Sequence, residues 1–183
     1  MSSFESESTL DNEHSIIYES ITSEIAKVLN KIINKNEEKD EYIKNVMDQS
    51  YMKFHSIYLP IISLEDYIIR IKKYIQIDDS ILICSIIYID RLILKGLFIS
   101  QYNIYRLFLA STFIAFKLFN DKKCNIQFFA KVGGVSVEEL SELEIEFVSL
   151  IDFNLFIDDI QFQQYYDFIN QEILKNKLDY LDE

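Results

Sequence analysis

The chain has 183 residues, 49% apolar and 26% charged, enough for one buried core. Three glycines and one proline are too few for the turns of a β-sandwich or barrel, and Gly96, Gly133 and Gly134 supply no Rossmann or P-loop cradle for phosphates. The net charge of −12 sits at the ends: residues 1–24 hold six acids and no base, residues 158–183 carry −5, and the body from 25 to 157 is at −1, with no cationic cluster for nucleic acid.

Taken in chain order, residues 1–13 are serines and acids with little to bury and read as a disordered acidic lead, unlike a signal or transit peptide. A helix is predicted from His14 or Ser15. Its stripe is Ile17, Ile21, Ile25, Val28, Leu29 and Ile32, and Asn34, Lys35 and Asn36 end it. A charged linker (36–41) and a short amphipathic piece (42–54) follow. Pro60 marks the entry to the main body. Ser63 is a candidate cap for a helix with Glu65 and Asp66 in its first turn. Asp78, Asp79 and Ser80 start the next helix, which stops at Lys95 and Gly96.

Ser100 is the expected cap of a third helix of the body, running to Phe119. From Leu107 to Phe116 it carries no charge, so other helices must surround it. A short helix spans 126–132 before Gly133 and Gly134. Ser136 and Glu139 form a capping-box pattern for a fifth helix, with the seam Leu140, Leu143, Phe147, Leu150 and Ile151. A last helix from Asp158 to about Leu174 carries Phe162, Tyr165, Tyr166 and Ile169 on one side.

Cys84 and Cys124 lie in apolar surroundings without a CxxC pattern, which argues against a disulfide scaffold or zinc ribbon and fits a reducing compartment. The longest apolar stretch, 81–89, is interrupted by Ser85 and is far short of the ~20 residues a bilayer span needs. His14 and His55 are far apart, and no catalytic constellation or metal-ligand set is present. Asp90 and Arg91 lie within an apolar helix, where a charge needs a partner. Arg70, on the preceding helix, is a candidate partner for Asp90.

Five helices with a buried third one, and four local patterns in order, resemble the cyclin box. IIYIDRLIL (86–94) is similar to the second-helix signature, LASTFIAFKLFND (109–121) to the third-helix pattern, and ELEIEFVSLIDFNL (142–155) to the fifth. ISLEDYIIRIKKY (62–74) and ITSEIAKVLNKII (21–33) are closer to the P-type, phosphate-pathway cyclins of fungi and protists. The Met-Arg motif and tryptophan that form a substrate-docking patch in many cell-cycle cyclins are missing from the first helix.

The resemblance implies an all-α protein: a five-helix cyclin box with a central buried third helix, plus flanking N- and C-terminal helices. Its segments are the lead (1–13), an N-terminal helix, linker and short helix (14–60), the box (61–157), and a C-terminal helix with an acidic tail (158–183). It further implies an intracellular, non-catalytic subunit, monomeric when free. Its partner is a cyclin-dependent protein kinase, with no cofactor, nucleic acid or membrane involved. A cyclin-fold scaffold that activates no kinase is the alternative. By resemblance, the kinase-binding residues are Lys117, Glu144, Leu118, Val148 and Phe153. On the residues alone, Lys117 reads as a cation compensating a helix C-terminus, Glu144 as part of a solvated acidic face, and the other three as core.

Overall fold

The computed structural model describes residues 5–37 and 53–179, with side chains for 21–37 and 53–175. Among them, seven α-helices follow in order: α1 (Glu5–Glu37), α2 (Leu64–Ile75), α3 (Asp79–Leu94), α4 (Ile104–Phe119), α5 (Ile126–Gly133), α6 (Val137–Leu150) and α7 (Asp159–Asp179). Residues 42–52 of the expected amphipathic piece lie outside the described residues.

The capping chemistry sets the boundaries of the body. The Ser63 hydroxyl accepts the Asp66 amide at 3.1 Å, and the Ser136 hydroxyl accepts the Glu139 amide at 3.0 Å. The second half of the capping box does not form. The Glu139 carboxylate turns instead to Arg106 Nε on α4, 2.7 Å away, exchanging a local bond for an interhelical one. Asp158 caps α7 by accepting the Gln161 amide at 2.7 Å.

α4 is the hub. It packs against α2, α3 and α6, and Phe113 and Phe116 meet Phe129 of α5 edge-on at centroid distances of 4.9 and 5.7 Å. Every residue from Leu107 to Phe116 is buried, as the uncharged run requires. The helix itself starts at Ile104, not at Ser100. The Asn103 side chain accepts the Ser100 amide at 2.9 Å and donates to the Phe98 carbonyl at 2.8 Å, holding 100–103 as a turn.

Two flanking elements differ from expectation. Residues 5–13 continue α1 rather than forming a disordered lead. No glycine or proline interrupts 5–37, so nothing in the sequence stops the helix there. Along α1, Ile21, Ile25, Ala26, Leu29 and Ile33 are buried against α2 and α7, and Asn36 Nδ2 donates to the Ile99 carbonyl at 3.0 Å. α7 runs on to Asp179 and buries Ile169 and Ile173, whereas Tyr166 faces solvent. The step of about 100° between Tyr165 and Tyr166 separates the side facing α1 and α3 from the open one.

Gly133 closes α5 under α4. A Cβ there would lie 2.5 Å from Leu109 Cδ2, so the fully buried Leu109 side chain would have to shift among packed neighbours. The Tyr67 hydroxyl also donates to the Gly133 carbonyl at 3.0 Å, fixing the backbone. Gly133→Ala is therefore expected to destabilise by about 1–3 kcal/mol through overpacking, read as a lower midpoint in urea with an unchanged slope.

Candidate functional site

Because α4 and α6 are neighbours, the end of one helix reaches the middle of the other. Lys117 stands in the last turn of α4 and Glu144 on α6; Lys117 Nζ and Glu144 Oε1 are 2.5 Å apart. The ammonium also lies 5.2 Å from the Phe113 ring centroid. The lysine side chain is 44% exposed and that of the glutamate 22%. An ion pair this open contributes only ~0–1 kcal/mol to folding. One of its three N–H groups is used by Glu144, so the cation can still donate to an incoming acceptor.

Leu118 is exposed beside Lys117, and so is the next residue, Phe119. Val148 is half-buried one turn beyond Glu144. Phe153 is 74% exposed just past the end of α6. The reading of Leu118 and Phe153 as core is thus corrected; Val148 does pack partly against the core. Lys117 and Leu118 thus end α4, Glu144 and Val148 lie one turn apart on α6, and Phe153 follows that helix: an ion pair with exposed Leu118 and Phe153 and half-buried Val148 on the same elements. Among the described residues no three His, Cys, Asp or Glu side chains group as metal ligands, and no helix is long and apolar enough to cross a membrane.

Cys124 lies within electrostatic range of this pair. Its thiol is pushed up by burial, drawn down by Lys117 and pushed up again by Glu144. Cys84, buried in α3, is pushed up to about 11, mainly by burial. A raised thiol pKa leaves the unreactive protonated form at pH 8. Iodoacetamide at pH 8 is expected to label half-buried Cys124 first and to reach Cys84 only after unfolding, as peptide mapping would show.

The charged pair in α3 has partners that sequence reasoning missed. Arg70 is exposed on α2. Asp90 instead accepts the Tyr165 hydroxyl of α7 at 2.6 Å, because this face of α3 packs on α7 and not on α2. Arg91 donates to the Asn154 carbonyl, to the Phe156 carbonyl at 2.7 Å and to Gln161 Oε1 at 2.7 Å. The Tyr88 hydroxyl donates to the Leu155 carbonyl at 2.7 Å. The YIDR pattern thus ties the segment after α6 to the body. Its partners lie 63–75 residues away, which no local pattern announces.

An all-α body with one enclosed helix, and a half-open ion pair on elements that also carry exposed apolar side chains, defines a helical box of the cyclin class. The cyclin family model matches residues 19–155, and the chain belongs to the cyclin family. It is 32% identical over 154 residues to Cyclin-U1-1 of Arabidopsis thaliana, covering 83% of this chain and 73% of that protein. It is 36% identical over 114 residues to the PHO85 cyclin-like protein psl1 of Schizosaccharomyces pombe, covering 61% of this chain and 47% of that one. With PHO85 cyclin-7 of Saccharomyces cerevisiae the identity is 30% over 161 residues, 77% of this chain and 56% of that one. The chain spans about half the length of these two yeast relatives. Its P-type resemblance is therefore met by PHO85 cyclins as well as by plant U-type cyclins.

Proposed function

We propose that this cyclin is the non-catalytic regulatory subunit of an intracellular cyclin-dependent kinase, monomeric when free and heterodimeric when active. The observation that carries this reading is the convergence of Lys117 and Glu144 between exposed Leu118 and Phe153. Kinases of this type are switched on when a mobile helix brings its glutamate to the ATP-binding lysine. A lysine with free N–H groups suits backbone carbonyls of such a helix, and the adjoining carboxylate holds that lysine in place. The apolar side chains on either side would supply the burial that the charges cannot. The names of the two yeast relatives, a PHO85 cyclin-like protein and PHO85 cyclin-7, support a kinase of that group as the partner.

Affinity purification of the full chain with mass spectrometry, followed by a phosphorylation assay on the purified pair, tests this reading. The expected result is one kinase at 1:1 stoichiometry whose activity depends on this chain, with Cys124 labelling slowed in the complex. Recovery of a kinase whose activity the chain does not change would select the scaffold alternative. Recovery of no kinase would refute the reading.

A further inference from the structure

The segment after α6 is held in a conformation that L-residues avoid. Asp152 and Phe153 stand consecutively in the left-handed region, with φ of 53° and 58°. Neither is glycine, and a pair of such residues is costly unless its surroundings hold it there. Its effect is to lift Phe153 off the body, 74% exposed, with Phe156 78% exposed three residues on. Bonds from α3 hold it. Lys95 pairs with the Asp152 carboxylate, Arg91 reaches the Asn154 and Phe156 carbonyls, and Tyr88 reaches the Leu155 carbonyl. Tyr88 and Arg91 on α3 and Lys95 at its C-terminal cap recur at helical spacing, so one stripe grips nearly the whole segment. All this ordering serves two aromatic rings that touch water.

We infer that Tyr88, Arg91 and Lys95 are positioning residues that preset 152–156 as a rigid aromatic strap for the kinase, Phe153 and Phe156 being its contact side chains. The inference rests on the proposed kinase-binding role and extends it from Phe153 to Phe156 and to the residues that hold both in place. The occupant follows from continuity. The Phe153 amide donates to the Val148 carbonyl at 2.9 Å, and Val148 lies one turn from Glu144 on the same face of α6. A partner that engages Lys117 and Glu144 therefore meets the strap next, and it must offer an apolar surface there. A preset strap spares that partner the entropy of ordering the rings and their backbone on binding.

The test uses the full chain with its purified cognate kinase. Three quantities are measured for wild type, Tyr88→Phe, Lys95→Met and the double variant: backbone 15N order parameters of 152–156 in the free protein, thermal midpoint, and kinase affinity. The wild-type strap is expected at rigid-backbone values near ~0.85, falling below ~0.6 in the double variant. Affinity should drop about tenfold while the midpoint falls by only about 2–4 °C, because Tyr88→Phe keeps the buried ring and loses one hydrogen bond, and Lys95 is a half-exposed side chain at the end of α3. Lys95→Arg should restore order and affinity together. In a Phe153→Ala, Phe156→Ala background the Tyr88 and Lys95 substitutions should cost no further affinity, since the rings they position are gone. A strap that stays rigid in the double variant overturns the inference, and so does a loosened strap with unchanged affinity. Failure of the wild-type protein to bind any kinase overturns the functional reading itself, and the order parameters then report separately on the tether.

Discussion

Lys117→Ala and Glu144→Ala are each expected to weaken kinase binding by about thirtyfold or more and to abolish activation while leaving the thermal midpoint unchanged. The two halves of this expectation come from different magnitudes. In the free protein the lysine is 44% and the glutamate 22% exposed, so removal of this half-open pair changes stability by ~0–1 kcal/mol. At a closed interface, truncating one partner of a hydrogen-bonded charge pair costs ~2–5 kcal/mol, much of it from the charge left buried and unpaired. Lys117→Ala strands Glu144 among Leu118, Val148 and the kinase, and Glu144→Ala releases the ammonium from its fixed position.

A double-mutant cycle separates this clamp from two independent contacts. If both side chains hold the same kinase element, the double variant should lose little more than either single one. Full additivity would mean that they act apart. A Lys117→Ala protein that melts normally and activates the purified kinase normally would remove the clamp from the mechanism.

The fold was legible where local chemistry decides. Ten successive uncharged residues in α4 can only be enclosed, and hydroxyl caps at Ser63 and Ser136 set helix starts that the backbone obeys. Long-range choices were not legible. Nothing near Asp90 distinguishes Arg70 from Tyr165 as its partner, because that depends on which face of α3 receives α7. The left-handed pair at Asp152 and Phe153 carries no glycine to announce it and exists because Lys95, Arg91 and Tyr88 bind the segment from another helix. The α1 start was missed for a related reason: polar residues 5–13 show no apolar stripe, yet nothing in them stops a helix already running. For the site, Lys117 and Glu144 were named by resemblance. What the residues alone support is only that α4 and α6 must be neighbours, and from that their convergence follows.

The division of labour within α4 yields the other large expected effect. Phe108 is fully buried at the centre of the hub, whereas Leu118, ten residues further along the same helix, is 50% exposed. Removing the Phe108 ring deletes apolar contact and leaves a cavity that packed neighbours close only in part. Phe108→Ala should cost about 3–5 kcal/mol. That is a large share of the ~5–15 kcal/mol available to a domain, and for a chain of this size it lowers the melting temperature on the order of 10 °C. Leu118→Ala loses contacts that are already half made with water and should stay within about 0.5 kcal/mol. Kinase affinity should follow the opposite order when measured below both melting transitions: nearly retained in Phe108→Ala and reduced about tenfold in Leu118→Ala, since an apolar anchor acts only once the partner covers it. Calorimetric melting and binding isotherms on the two variants decide the matter. A Phe108→Ala protein that melts within about 2 °C of wild type would show that α4 is not the enclosed helix around which the body is built.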